Sequence, residues 1–275
     1  MGLGLGLRIG LGGAGVLGAA GPIYDPDAAA WFEAVEATGA TFGPDPATIT
    51  ANKTAWSDWV IAQKNAESPI AGRSNWDQLT EPGEGFIQPL MGLSTFNVPA
   101  LFGGRTFTGF VDGYYIPALG IKGGEGKSLL TNRSLSATPL NDVALGMWVT
   151  GAASTSGFFS IAGTSRDAIF TSGLFRSRNT QSGTNLTAYN GGPFPRAAFL
   201  SRHLASEFLA FGVAESPQTI ASSESTSAPL VFFAATTTTA FSDVRSGLAF
   251  YGRSINLAAM NTACVALSEA ITWPT

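Results

Sequence analysis

The sequence predicts a mainly β protein, an antiparallel β-sandwich or barrel with a Gly-rich N-terminal arm, a small helical segment and a closing C-terminal helix. Three observations lead there. From about residue 105 the chain breaks into short runs rich in β-branched and aromatic residues, separated by Gly, Ser, Asn and Thr clusters, with no helical pattern between them. Helix-start signals gather before residue 80, and one amphipathic stretch follows residue 256. Residues 1–21 alternate large apolar residues with Gly. The expected division is an assembly or docking arm at 1–22, a helical connector at 23–104, and a sandwich with its closing helix at 105–275.

In the arm, Leu3, Leu5, Leu7, Ile9 and Leu11 share one parity, and Gly2, Gly4, Gly6, Gly10 and Gly12 the other. Period two is the repeat of a strand, here with one greasy face and one bare face open to close backbone approach. Glycine weakens such a strand on its own, so it needs a partner: a second copy, another protein or its own domain. A secretory signal would place its basic residue before an uninterrupted apolar helix, whereas Arg8 interrupts this stretch. Gly10 to Gly15 spells a formal G-x-G-x-x-G, yet Gly18, Gly21 and Pro22 stop the helix that a dinucleotide fingerprint must open.

Asp25-Pro26 reads as an N-cap followed by Pro at the first helical position, opening a helix over 27–38 that ends at Gly39. Asp45-Pro46 repeats the device for a helix to about Asn65, with Trp56, Trp59, Val60 and Gln63 along one face. Ser74 with Asp77 forms a short capping box before Trp76 and Leu79. The tryptophans are expected in a small helical core. Residues 81–104 are Gly- and Pro-rich and read as a crossing between domains.

The clearest strand candidates are 144–150, 157–162, 168–176, 186–189, 197–200, 208–214, 230–235 and 248–251. Asn256 can cap the last helix, which places Met260, Cys264, Leu267 and Ile271 on one face. Cys264 then reads as an inert core thiol.

Hydrophobic residues make up 45% of the chain and charged ones 12%, about half the usual share, so much of the surface is expected to meet other subunits. The formal charge is −4 and the basic residues are scattered, which disfavours nucleic acid. Cys264 and His203 are alone of their kinds, excluding an intrachain disulfide and a Cys/His-rich metal site.

The order of features resembles structural proteins of tailed bacteriophages and prophages that join a short helical segment to a concanavalin A-like jelly roll. Three stretches carry the likeness: Asp25-Pro26-Asp27-Ala28 with the second helix and the Asn75-Trp76 helix, Asn141-Asp142 before a strand, and Phe250-Tyr251-Gly252-Arg253-Ser254-Ile255-Asn256-Leu257 before the closing helix. Together they span most of residues 23–271. The resemblance implies a virion component such as a tail fibre, a tail-associated or a capsid-decorating protein. It supplies no catalytic residues to carry over.

A search for chemistry agrees with that implication. Hydrolases on such a sandwich set two or three carboxylates on one strand at alternating positions, and no such run occurs. Glu33 and Glu36 fall in the first helix, and Glu215 and Glu224 in a Ser/Thr-rich stretch. His203 has no Gly-x-Ser-x-Gly partner, since Gly163 to Asp167 fails at its last position. Gly120 to Ser128 ends like a phosphate loop but is out of register and reads as a turn. Asn52, Asn132 and Asn185 open glycosylation triplets without meaning in a bacterially made protein.

The expected function is a non-enzymatic virion component. It has no cofactor, metal or catalytic residues, and it partners itself as a homo-oligomer, a trimer being favoured, together with other virion proteins, without nucleic acid or membrane. The alternative is a lectin-like module binding host-surface glycan through aromatics such as Tyr114, Tyr115 or Tyr189. A polysaccharide-degrading hydrolase is the third reading.

Overall fold

A computed structural model describes residues 22–133, 138–139, 141–151, 194–204, 230–234 and 243–274 with their side chains, and the backbone of 134, 159–162, 168–171, 174–176, 207–211, 214–218 and 229. Arm residues 1–21, the strand expected at 186–189, and Tyr189 lie outside the described residues.

The helices sit where their caps place them. Helix α1 is Pro26–Glu36, α2 is Pro46–Asn65, α3 is Asn75–Leu79 and α4 is Leu257–Ala270. Asp45 accepts from the backbone N–H of Ala47 and Thr48, and Asn256 accepts from that of Ala259. The Ser74–Asp77 capping box is complete in both directions.

The β part is two antiparallel sheets. Strands are β1 Phe86–Pro89, β2 Arg105–Thr108, β3 Tyr115–Ile116, β4 Gly120–Lys122, β5 Ser128–Ser134, β6 Val143–Gly151, β7 Phe159–Ala162, β8 Ala168–Thr171, β9 Leu174–Arg176, β10 Arg196–Leu204, β11 Glu207–Phe211, β12 Ala214–Gln218, β13 Pro229–Phe232 and β14 Arg245–Gly252. The larger sheet runs β12-β11-β10-β6-β14-β4-β3, with β1 also paired to β14; the smaller runs β2-β5-β13-β7-β8-β9. Two runs expected as single strands, 168–176 and 208–214, are each two strands paired antiparallel. Strands β1 to β5 have two to seven residues each, mostly too few to show a period.

The centre of the larger sheet is buried on both faces. Along β6, Val143, Leu145, Met147 and Val149 point into an apolar cluster shared with Leu129 and Phe232 of the smaller sheet. Ala144 and Trp148 point the other way, into a cluster with Trp31, Phe32, Phe42, Trp56, Trp59 and the apolar face of α4. Three layers result, helices on sheet on sheet. Double burial explains why β6 reads as a continuous apolar run instead of an alternating one. Gly146 is the exception that lets the layers close. A Cβ there would lie 2.6 Å from Phe199 Cδ1 and 2.9 Å from Phe250 Cζ, two rings packed edge to face at 5.1 Å.

The helical layer is tied to the closing helix at both of its ends. At the start of α4, Asn75 Nδ2 donates to Asn256 O (3.1 Å) while its Oδ1 accepts from the Asn256 N–H (2.7 Å). At the far end, Asn52 Nδ2 donates to Thr272 O (2.9 Å) and its Oδ1 accepts from the Thr272 N–H (2.9 Å). Both asparagines are wholly buried. A side-chain amide carries one donor edge and one acceptor edge, so each satisfies a backbone N–H and C=O as a neighbouring strand would.

Removing either clamp leaves buried backbone groups without partners. Asn75→Ala and Asn52→Ala are each expected to lower stability by about 2–4 kcal/mol, and Gly146→Ala by about 1–3 kcal/mol through overpacking. Urea titration followed by tryptophan fluorescence checks the three values. The two asparagine effects should nearly add, because the clamps share no partner.

Candidate functional site

Among the described residues that the sequence weighs for chemistry, several make structural contacts. Tyr115 packs against both apolar clusters and donates its hydroxyl to Leu93 O (2.8 Å), and burial pushes its pKa well above the ordinary value. Tyr114 is half-buried and its ring lies under the Lys127 ammonium, 3.7 Å from Nζ to the centroid. Lys127, the residue that made 120–128 look like a phosphate loop, also donates to Glu125 O and closes a turn. His203 is half-buried on β10. Cys264 is buried against Met260 and Trp59, and burial pushes its thiol up to about 12, far from a reactive thiolate. Asn52 is sealed in its clamp, so its triplet is inaccessible.

Four half-buried carboxylates stand beside cations. Asp25 caps α1 and takes both oxygens to Lys64 (2.8 and 2.9 Å); Glu81 binds Arg73; Glu84 binds Arg253 through two bonds of 2.8 and 2.9 Å. Asp142 accepts from the Ser254 N–H and hydroxyl and stands 3.9 Å from Arg253. Glu36 pairs with Lys53, and Glu33 is exposed on α1. The Glu215 side chain, Glu224 and the 163–167 segment lie outside the described residues. Among the described residues, no three His, Cys, Asp or Glu side chains gather as a metal site would require, and no helix is long and apolar enough to cross a membrane.

Among the described residues there is also a concave site to which the sequence gives no motif. A cleft of about 540 Å³ lies between the end of α2, the 66–73 loop and the start of α3. Lys64, Asn65, Ala66, Glu67, Gly72, Arg73, Ser74, Trp76 and Asp77 line it. Pairing of Glu67 with Ser74 and the bond from the Ser68 N–H to Arg73 O (2.9 Å) make the loop a small hairpin that holds one wall. Lys64 lies over the Trp76 ring, 5.4 Å from its centroid. Burial opposes the Lys64 charge, but bonds from Asp25 and Asp27 outweigh it and keep its pKa above the ordinary value. On the other wall, the Ser74 N–H holds the Asp77 carboxyl below the usual range, with the Ser74 hydroxyl and Arg73 acting in the same direction.

No family model matches the chain, and no curated protein does. Among solved structures, Trypanosoma rangeli sialidase is similar over 80% of this chain and 38% of its own, with a TM-score of 0.46 and 10% identity. The same sialidase in complex with the inhibitor DANA gives 79% and 38%, 0.44 and 8%. Domain 4 of a GH43 extracellular arabinanase from Geobacillus stearothermophilus, in complex with arabinotriose, gives 66% and 98%, 0.36 and 12%. This chain thus spans 38% of the sialidase's length.

The cap carboxylates are expected to weaken the fold in acid. Thr48 and Ala47 hold the Asp45 carboxyl below its ordinary 3.8, and Asp77 is lowered likewise from 3.8. A lowered carboxylate stabilises the fold fully above its unfolded-state pKa, and that contribution is lost as pH falls through the folded value. The doubly substituted Asp45→Asn/Asp77→Asn protein keeps acceptors at both positions but has no proton to gain there. Its urea midpoint should fall less than that of the unsubstituted chain between about pH 5 and about pH 3. Equal falls would show that other groups set the acid limit.

Proposed function

We propose that this chain is a structural component of a bacteriophage virion, of the tail-fibre, tail-associated or capsid-decorating kind, built on a concanavalin A-like jelly roll and serving assembly and attachment without catalysis. One observation carries the reading: the residues behind the phage resemblance tie the helices to one another and to the exit of β14. Asp25 joins α1 to α2 through Lys64, Asn75 clamps the entrance of α4, Asp142 holds Ser254, and Arg253 holds Glu84. A pattern of that kind specifies an architecture. Half-buried carboxylates engaged by cations suit a part that must hold its shape, and a catalytic pair would instead have to face a groove together. The low charge content suits a part whose surface is covered by neighbours.

In this reading the chain copurifies with particles banded on a density gradient, at fixed stoichiometry to the other virion proteins. In isolation it is a discrete oligomer by light scattering, a trimer being favoured, and a chain lacking residues 1–21 falls to monomer or aggregates. Full recovery of the protein in the soluble, particle-free fraction would overturn the virion assignment.

A further inference from the structure

We propose that the cleft between α2 and α3 receives the Gly-rich arm, residues 1–21, of a second copy of this chain, with Arg8 as the peg that enters it. The inference rests on the self-assembly in the virion reading and names the contact that makes it. The described chain begins beside this cleft. Ile23 is 95% exposed, and Asp25 accepts from Lys64 of the cleft wall at 2.8 Å, so residues 1–21 join the fold at the rim. An extended chain from Arg8 to Asp25 spans up to about 55 Å, enough to carry Arg8 to the equivalent cleft of a neighbouring copy. Each copy then gives and receives at one place, which lets a dimer or a ring close.

The arm's sequence and the cleft's chemistry match. Arg8 is the one charged residue before Asp25, and it shares its parity with Gly2, Gly4, Gly6, Gly10 and Gly12. An arm laid out at period two therefore shows a single long side chain on an otherwise bare face, and the bare positions let its backbone lie close to a rim while the peg goes in. In the cleft the cations are engaged and the carboxylates are spare. Lys64 is met by Asp25 and Asp27, and Arg73 by Glu81. Glu67 is exposed and makes no ion pair among the described residues, and Asp77 bonds to the neutral Ser74. Negative charge is left over in a wall whose exposed surface is more apolar than polar. A guanidinium on a methylene stem suits both features. Glu67 also offers backbone. The bonds from the Asn75 N–H to Ala66 O (2.8 Å) and from the Ser68 N–H to Arg73 O (2.9 Å) flank the Glu67–Ser74 pair, so the Glu67 N–H and C=O point off the outer edge of the hairpin, where another backbone can pair with them.

The test is a charge exchange on the full chain, read by light scattering over a range of concentrations, with circular dichroism to show that each variant is folded. Arg8→Glu and Glu67→Arg should each weaken self-association by about tenfold or more, because each sets like charges against one another at the contact. The chain carrying both substitutions should recover it. An equimolar mixture of the two single variants should also associate, into species that contain both, since each arm then finds the opposite charge only on the other copy. Self-association undiminished by Arg8→Glu overturns the inference and leaves the self-assembly reading standing, and so does loss that the doubly substituted chain fails to recover. Recovery in that chain but not in the mixture would put the arm on its own cleft and overturns the exchange between copies. A monomeric unsubstituted chain overturns the inference and the self-assembly reading together, while the virion assignment is decided separately on the gradient.

Discussion

The corner at residues 252–256 is the constraint on which the rest of the structure depends. The chain leaves β14, in the middle of the larger sheet, and within a few residues starts a helix that lies back across that sheet. Its backbone groups turn through the interior, where each must find a protein partner because water is excluded. Gly252 admits the approach, since a Cβ there would stand 2.6 Å from Gln78 O. The Arg253 N–H then bonds to that carbonyl, the Ser254 N–H to Asp142, the Ile255 N–H to the Ser201 hydroxyl and the Asn256 N–H to Asn75. Consecutive residues are thus anchored to α3, to the entrance of β6 and to β10.

Those anchors explain why amides and hydroxyls, with few charges, hold the layers together. A buried ion pair must recover a large desolvation cost, whereas an asparagine that mimics a strand edge meets two backbone groups at once without burying charge. The charged ties lie nearer the surface: Arg253 with Glu84 beside the corner, Lys64 with Asp25 at the meeting of α1 and α2, both partly exposed. Apolar packing provides the bulk of the stabilisation on both sides of the larger sheet, and the polar ties fix the register in which the layers meet.

Much of this was legible in the sequence because it is written in local chemistry. Asp-Pro dipeptides, the Ser74–Asp77 box and Asn256 announce helix ends, and the spacing of Met260, Cys264 and Leu267 announces the buried face of α4, with Ile271 buried just past its end. Strands β6 and β10 were legible as apolar runs, although a run alone does not reveal which two layers it separates. What stayed hidden depends on contacts distant in sequence. Phe86 to Pro89 looks like linker until it is paired with β14, and Asn52 looks like a solvated helix residue until Thr272, 220 positions later, meets its side chain. The cleft of Trp76 had no signal beyond its capping box, since its lining comes from a helix end, a hairpin and a helix start that share no motif.

The account holds that the helical layer, the corner and the larger sheet form one cooperative unit. Native-state amide hydrogen exchange measures this most directly, because it assigns an opening free energy to each element separately. If the account is right, the central amides of α4 exchange with the same opening free energy as those of β6 and β14, the global value, and with the same denaturant dependence. If α4 opens at a free energy several kcal/mol lower, with a small denaturant dependence, then the closing helix is an appendage of the sheets and the corner does not govern the fold.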